Sequence, residues 1–214
     1  MLWTEQKHGI VCVALYLFEP LKMIKTENFP KIEVNSRAAL RDWLQLHHQQ
    51  NKTVWLVTFK KSVPDKYVST AEVLDELLCF GWIDGIRRIL DEHRTMQLIS
   101  TRKAQHWAKS YKDRAAKLIE MGKMQEAGYR SIEQAKTNGL WEYMDDVDRL
   151  MIPEDLQHAL SKSEGAAEFF HAINDSSKRF VLRWIKLAKT DKTRISRIEK
   201  ITDLSEKGEK LKGS

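Results

Sequence analysis

The chain has 214 residues, 42% of them hydrophobic and 31% charged, with a formal charge of +6. Those proportions argue against a disordered or membrane-embedded protein and describe a folded, soluble one, long enough for two units of moderate size. Two cysteines, Cys12 and Cys79, make neither a disulfide framework nor a thiolate metal signature, so a reducing, cytoplasmic setting is expected.

Residues 1–35 read as a poorly ordered extension. The apolar run Ile10–Phe18 is too short for a bilayer, which needs about 20 residues. It also lacks the features of an export signal: Glu5 lies ahead of it, and Glu19 and Pro20 stand where a small-residue cleavage site would follow.

From Ser36 the pattern is regular. Ser36 is an N-cap, and Ala39, Leu40, Trp43, Leu44 and His47 recur at helical spacing, which predicts a helix over 37–49. Thr53–Lys60 is short and rich in β-branched and aromatic residues, which predicts a buried strand. Ser69 and Glu72 form a capping box for a helix with Val73, Leu74, Leu77 and Leu78 inward and Glu72, Asp75, Glu76 and Cys79 on its other side. Gly81 suits the left-handed position that ends it. Ile83–Leu90 and Arg94–Ser100 then read as a hairpin.

Beyond residue 103 the pattern is helical. Helices are expected over Ala104–Glu120 and Met124–Thr137, with the acidic stretch 140–151 as a linker. Pro153 marks a first helical position, Ser161 and Glu164 a second capping box, and Asn174 or Asp175 a further cap. The helix after Asn174 should bury Phe180, Val181, Trp184, Ile185 and Ala188, and the one after Asp191 should bury Ile195, Ile198, Ile201 and Leu204. The fold class is therefore α+β: a small sheet packed with helices over 36–139, then an all-α unit over 152–205 and a tail over 206–214.

Three stretches carry a family resemblance: CFGWIDG (Cys79–Gly85), STRKAQHWAKS (Ser100–Ser110) and the segment from Ile152 to Lys200. With them the chain resembles the YdeI/OmpD-associated, or bacteriocin-protection, family from about Ser36 to Lys207. Where that family carries a Thr-Pro-Arg-Arg type stretch, this chain has Ser100, Thr101, Arg102 and Lys103. The resemblance implies a soluble bacterial protein associated with stress or toxin resistance; it brings no catalytic residues.

A binding corner is expected where Trp82 offers a flat wall, Gly85 a close backbone approach, and Asp84 and Arg88 opposite charges. Strand alternation would put Asp84 on the face of Arg88 and turn Arg87 away. Arg102 and Trp107, at the entry to a helix, could complete a pocket for a small polar or anionic ligand. The competing reading makes Trp82 a core residue, Gly85 a bulge and Asp84 and Arg88 a structural ion pair, with Arg102 exposed and Trp107 buried at a helix start.

A catalytic alternative would use Cys79, with His93 or His106 as base, or the carboxylates Glu76 and Asp84. No family signature surrounds the cysteine, and no Walker loop, dinucleotide fingerprint or metal-binding spacing occurs, so neither cofactor nor metal is expected. The other alternative is nucleic acid. Residues 176–214 hold 12 Lys and Arg against 5 Asp and Glu. Arg183, Lys186, Lys192, Arg194, Arg197 and Lys200 could track phosphates, although a solvated basic face is the better explanation of such a stripe.

Overall fold

A computed structural model describes residues 26–213. The readings placed on Ile10–Phe18 and Cys12 lie outside the described residues.

Four strands form one mixed sheet: β1 (Lys31–Glu33), β2 (Val54–Phe59), β3 (Trp82–Ile89) and β4 (Arg94–Thr101), in the order β1-β2-β4-β3. β1 runs parallel to β2, and β2, β4 and β3 are successively antiparallel. The strand β1 falls inside the stretch read as an extension. Three residues are too few to show periodicity, and pairing with β2 decides their conformation.

Helix α1 (Arg37–His47) begins at Ser36, whose hydroxyl accepts from the Ala39 amide. Helix α2 (Thr70–Cys79) has the capping box expected of Ser69 and Glu72, and Gly81 follows it at φ 68°. Both pack on the sheet face that carries Val54, Leu56, Trp82 and Ile99. Helices α3 (Lys109–Glu120) and α4 (Glu126–Thr137) close the same cluster through Ala115, Leu118, Ile132 and Ala135. The α4 contact is close: a Cβ on Gly128 would lie 2.5 Å from the Cys79 carbonyl, and one on Gly81 2.7 Å from the Ala127 carbonyl. Only glycine fits either place.

A second cluster begins at Met144. It is built by α5 (Asp145–Asp148), α6 (Glu154–Leu160), α7 (Glu164–Ala172), α8 (Asp175–Lys186) and α9 (Asp191–Glu206), with Leu156, Leu160, Phe170, Val181, Ile185 and Ile201 at its centre. The chain is thus a mixed sheet with helices followed by an all-α bundle.

Several local expectations change. Glu76 and Cys79 are buried rather than outward, because α1 covers that side of α2. The cap of α7 is Ser163, not Ser161, which closes α6 instead. Pro153 sits one place outside its helix, as the cap. On α9, Ile195 is 57% exposed, and on α8 Phe180 is exposed while Leu182 is buried. Each inward stripe is narrower than the run of apolar residues suggested, since one neighbouring helix can cover only part of it.

Candidate functional site

The hairpin of β3 and β4 contains a bulge between Asp84 and Arg87, where Asp84 lies opposite Ile99 but Arg87 lies opposite Gln97. A bulge inserts one residue and reverses the alternation beyond it. Asp84 and Arg87 therefore share the helix-facing side, and Arg88 turns to the other. Arg87 donates to the Thr70 hydroxyl at 2.7 Å. The Arg88 guanidinium lies over the Trp55 ring, 5.5 Å from its centre. The expected pairing of Asp84 with Arg88 is thus replaced, and Arg88 lies on the opposite face of the sheet from Asp84. Gly85 faces Leu98, on the side of Arg88. Trp82 is a core residue whose indole N–H donates to the His48 carbonyl at 3.1 Å and whose ring meets Trp43 edge-on.

What the fold does assemble is Asp84, Gln97, Arg102, Trp107 and Tyr111. Tyr111 donates to one Asp84 oxygen at 2.6 Å and Gln97 to the other at 2.9 Å. Arg102 follows β4, where its amide donates to the Gly81 carbonyl at 2.9 Å, and its side chain turns into the protein. The guanidinium lies 4.2 Å from the centre of the Trp107 ring and 5.2 Å from that of Tyr111.

Arg102 is only 7% exposed, and among the described residues its guanidinium makes one hydrogen bond, 3.4 Å from Nη1 to the His106 carbonyl. Among the described residues, its Nε and Nη2 are buried with no partner, as are Trp107 Nε1 and Gln97 Oε1. Native interiors seldom leave such groups unpaired. Burial lowers the Arg102 guanidinium to about 10, against the partial support of Tyr111 and Asp84. Burial also pushes the Tyr111 hydroxyl up to about 12, helped by its bond to Asp84.

The all-α unit approaches the same corner. His106 is held below its ordinary value by burial first and then by the charges of Arg183 and Arg102. Its ring contacts Tyr143, over which Lys186 Nζ sits at 4.7 Å. The Nε of Arg183 is another buried donor without a partner among the described residues. Sequence reasoning placed Arg183 on the basic stripe, considered His106 only as a base for Cys79, and missed Gln97 and Tyr111, whose roles depend on strand register and on contacts between distant elements.

The catalytic alternatives gain little. Cys79 is fully buried, and burial, then Glu76, raises its thiol. A thiolate nucleophile needs the opposite environment. The Glu76 carboxylate accepts from Arg37 at 2.6 Å and Arg41 at 2.7 Å, an ion-pair cluster rather than a partner for Asp84. Among the described residues no group of three or more His, Cys, Asp or Glu side chains could hold a metal ion, and no helix is long and apolar enough to cross a membrane.

Two family models match parts of the chain. Residues 149–208 match the family described as Bacteriocin-protection, YdeI or OmpD-Associated. Residues 32–131 match a domain of unknown function (DUF8412). The CFGWIDG stretch and the corner at Arg102 therefore fall in the second match, and the resemblance expected over Ser36–Lys207 is carried by the C-terminal segment. No curated protein and no solved structure matches the chain.

Proposed function

We propose that the protein is a cytoplasmic binding protein, rather than an enzyme, that takes a small anionic or polar ligand at Arg102. The observation that supports this is the buried guanidinium with two unpartnered nitrogens beside the unpartnered indole N–H of Trp107. A buried cation without a counter-charge is costly, whereas an anion received there gains charge-assisted hydrogen bonds. Asp84 is already committed to Gln97 and Tyr111, which leaves Arg102 as the ligand-binding charge and Asp84 as the group that orients Tyr111. Because the unpartnered atoms are out of solvent, entry requires a local opening of this corner. The name of the family matched by residues 149–208 suggests that binding serves bacteriocin or stress resistance.

The test is thermal shift and calorimetric titration against phosphate, sulfate, mono- and dicarboxylates and phosphorylated metabolites. At 100 times its dissociation constant a ligand should add about 2.7 kcal/mol of stability. That gain should vanish in Arg102→Met. A full panel without a shift, or an affinity untouched by Arg102→Met, would sink the reading.

A further inference from the structure

We infer that a second site, in the groove between α8 and α9, binds the phosphodiester backbone of single-stranded nucleic acid. The groove has a volume of about 390 Å³ and is lined by Trp184, Lys192, Thr193, Ser196, Arg197 and Lys200. Three cations, two hydroxyls and an indole face it, with no carboxylate in the lining. Positions 192, 193, 196, 197 and 200 recur at helical spacing along one stripe of α9. At 1.5 Å per residue that stripe is about 12 Å long, enough to follow about two or three phosphates of one strand.

The basic residues of this region divide into two sets. Arg194 is held by Asp155 through bonds of 2.6 and 2.9 Å, and Lys186 by Asp146 at 2.5 Å. Arg183 turns its Nε into the protein. Arg194 and Lys186 are engaged in ion pairs and Arg183 is turned inward, so the charge that addresses the groove is Lys192, Arg197 and Lys200.

Trp184 supplies what a bare charge stripe lacks. The Arg197 guanidinium lies 5.0 Å from the centre of its ring, and Lys200 Nζ lies 5.9 Å from it. Arg197 is anchored by a bond from Nη1 to the Trp184 carbonyl. A guanidinium fixed in this way presents a plane on which an unstacked base can lie, while the flanking lysines hold phosphates. Duplex bases are stacked on one another and cannot reach that plane, so a single strand is the fitting occupant.

The test is fluorescence anisotropy with a labelled oligonucleotide of about 12 nucleotides, a length within the usual site sizes. Binding by the native protein should weaken with salt at a logarithmic slope of about −2, the value for three contacts to a single strand. Lys192→Ala with Lys200→Ala should weaken it about tenfold or more, and Arg197→Lys, which keeps the charge and removes the plane, by severalfold. Arg194→Ala should leave it unchanged, and Arg102→Met should as well, which separates this site from the anion site. The inference is overturned by any of four results: no binding at low salt, equal binding by the double lysine variant, competition by duplex as strong as by single strand, or displacement of the oligonucleotide by a phosphopeptide at equal concentration.

Discussion

Arg102 costs the fold more than it returns. Its guanidinium falls from the ordinary arginine value to about 10, and at about 1.4 kcal/mol per unit the buried charge costs about 3 kcal/mol. Contacts with Trp107 and Tyr111 return up to about 2 kcal/mol. Arg102→Met, which keeps the apolar stem and discards the charge, is therefore expected to raise stability by about 1 kcal/mol in urea unfolding. A destabilised variant would instead mark the arginine as a packing element. The pH dependence has the same sign. With the folded value below the unfolded one, the unfolded chain holds more protons between pH 10 and the ordinary arginine range. The contribution of this group to stability rises with pH across that window, and the rise should be missing in the variant. A residue that costs stability is what a functional site is expected to hold.

At the scale of elements, α1 and α2 are joined by one buried carboxylate. Glu76 accepts from both Arg37 and Arg41, whose own side chains are about 30% exposed. Glu76→Gln removes the counter-charge that Arg37 and Arg41 share and leaves Arg37 its 3.6 Å pair with Asp75, and a loss of about 2 kcal/mol is expected in urea unfolding, at the low end for breaking a buried pair because the arginines reach solvent. The Asp155 and Arg194 pair between α6 and α9 makes the contrast. Asp155 is held low chiefly by its bond to Arg194, yet its side chain is 45% exposed. Asp155→Asn should cost less than about 1 kcal/mol. Equal losses at the two positions would contradict this ranking.

At the scale of the whole molecule, the two buried clusters meet through few contacts among the described residues. Lys112 pairs with Asp145, and the Lys109 amide donates to Asp148 at 2.8 Å. Calorimetry should therefore show two overlapping transitions, with a measured enthalpy above the van't Hoff value. Occupation of the Arg102 site should move mainly the transition of the cluster that contains Trp107. A single two-state transition would show that the junction couples the clusters fully.

The sequence by itself determined the fold class and most element positions. Those signals are local: a capping box at Ser69 and Glu72, a left-handed glycine at 81, and the short β-branched and aromatic run of β2 are read within a few residues of where they act. It also identified Asp84, Arg102 and Trp107 as residues of interest. Only the tertiary structure decided what they touch. One bulged residue in β3 moved Arg88 to the opposite face, α1 buried a carboxylate that helical spacing put outside, and α8 brought Arg183 toward His106 while Trp184 came to line a basic groove. Each of these outcomes depends on register or on packing between distant segments. A period of two or 3.6 residues is blind to a partner that approaches from far along the chain.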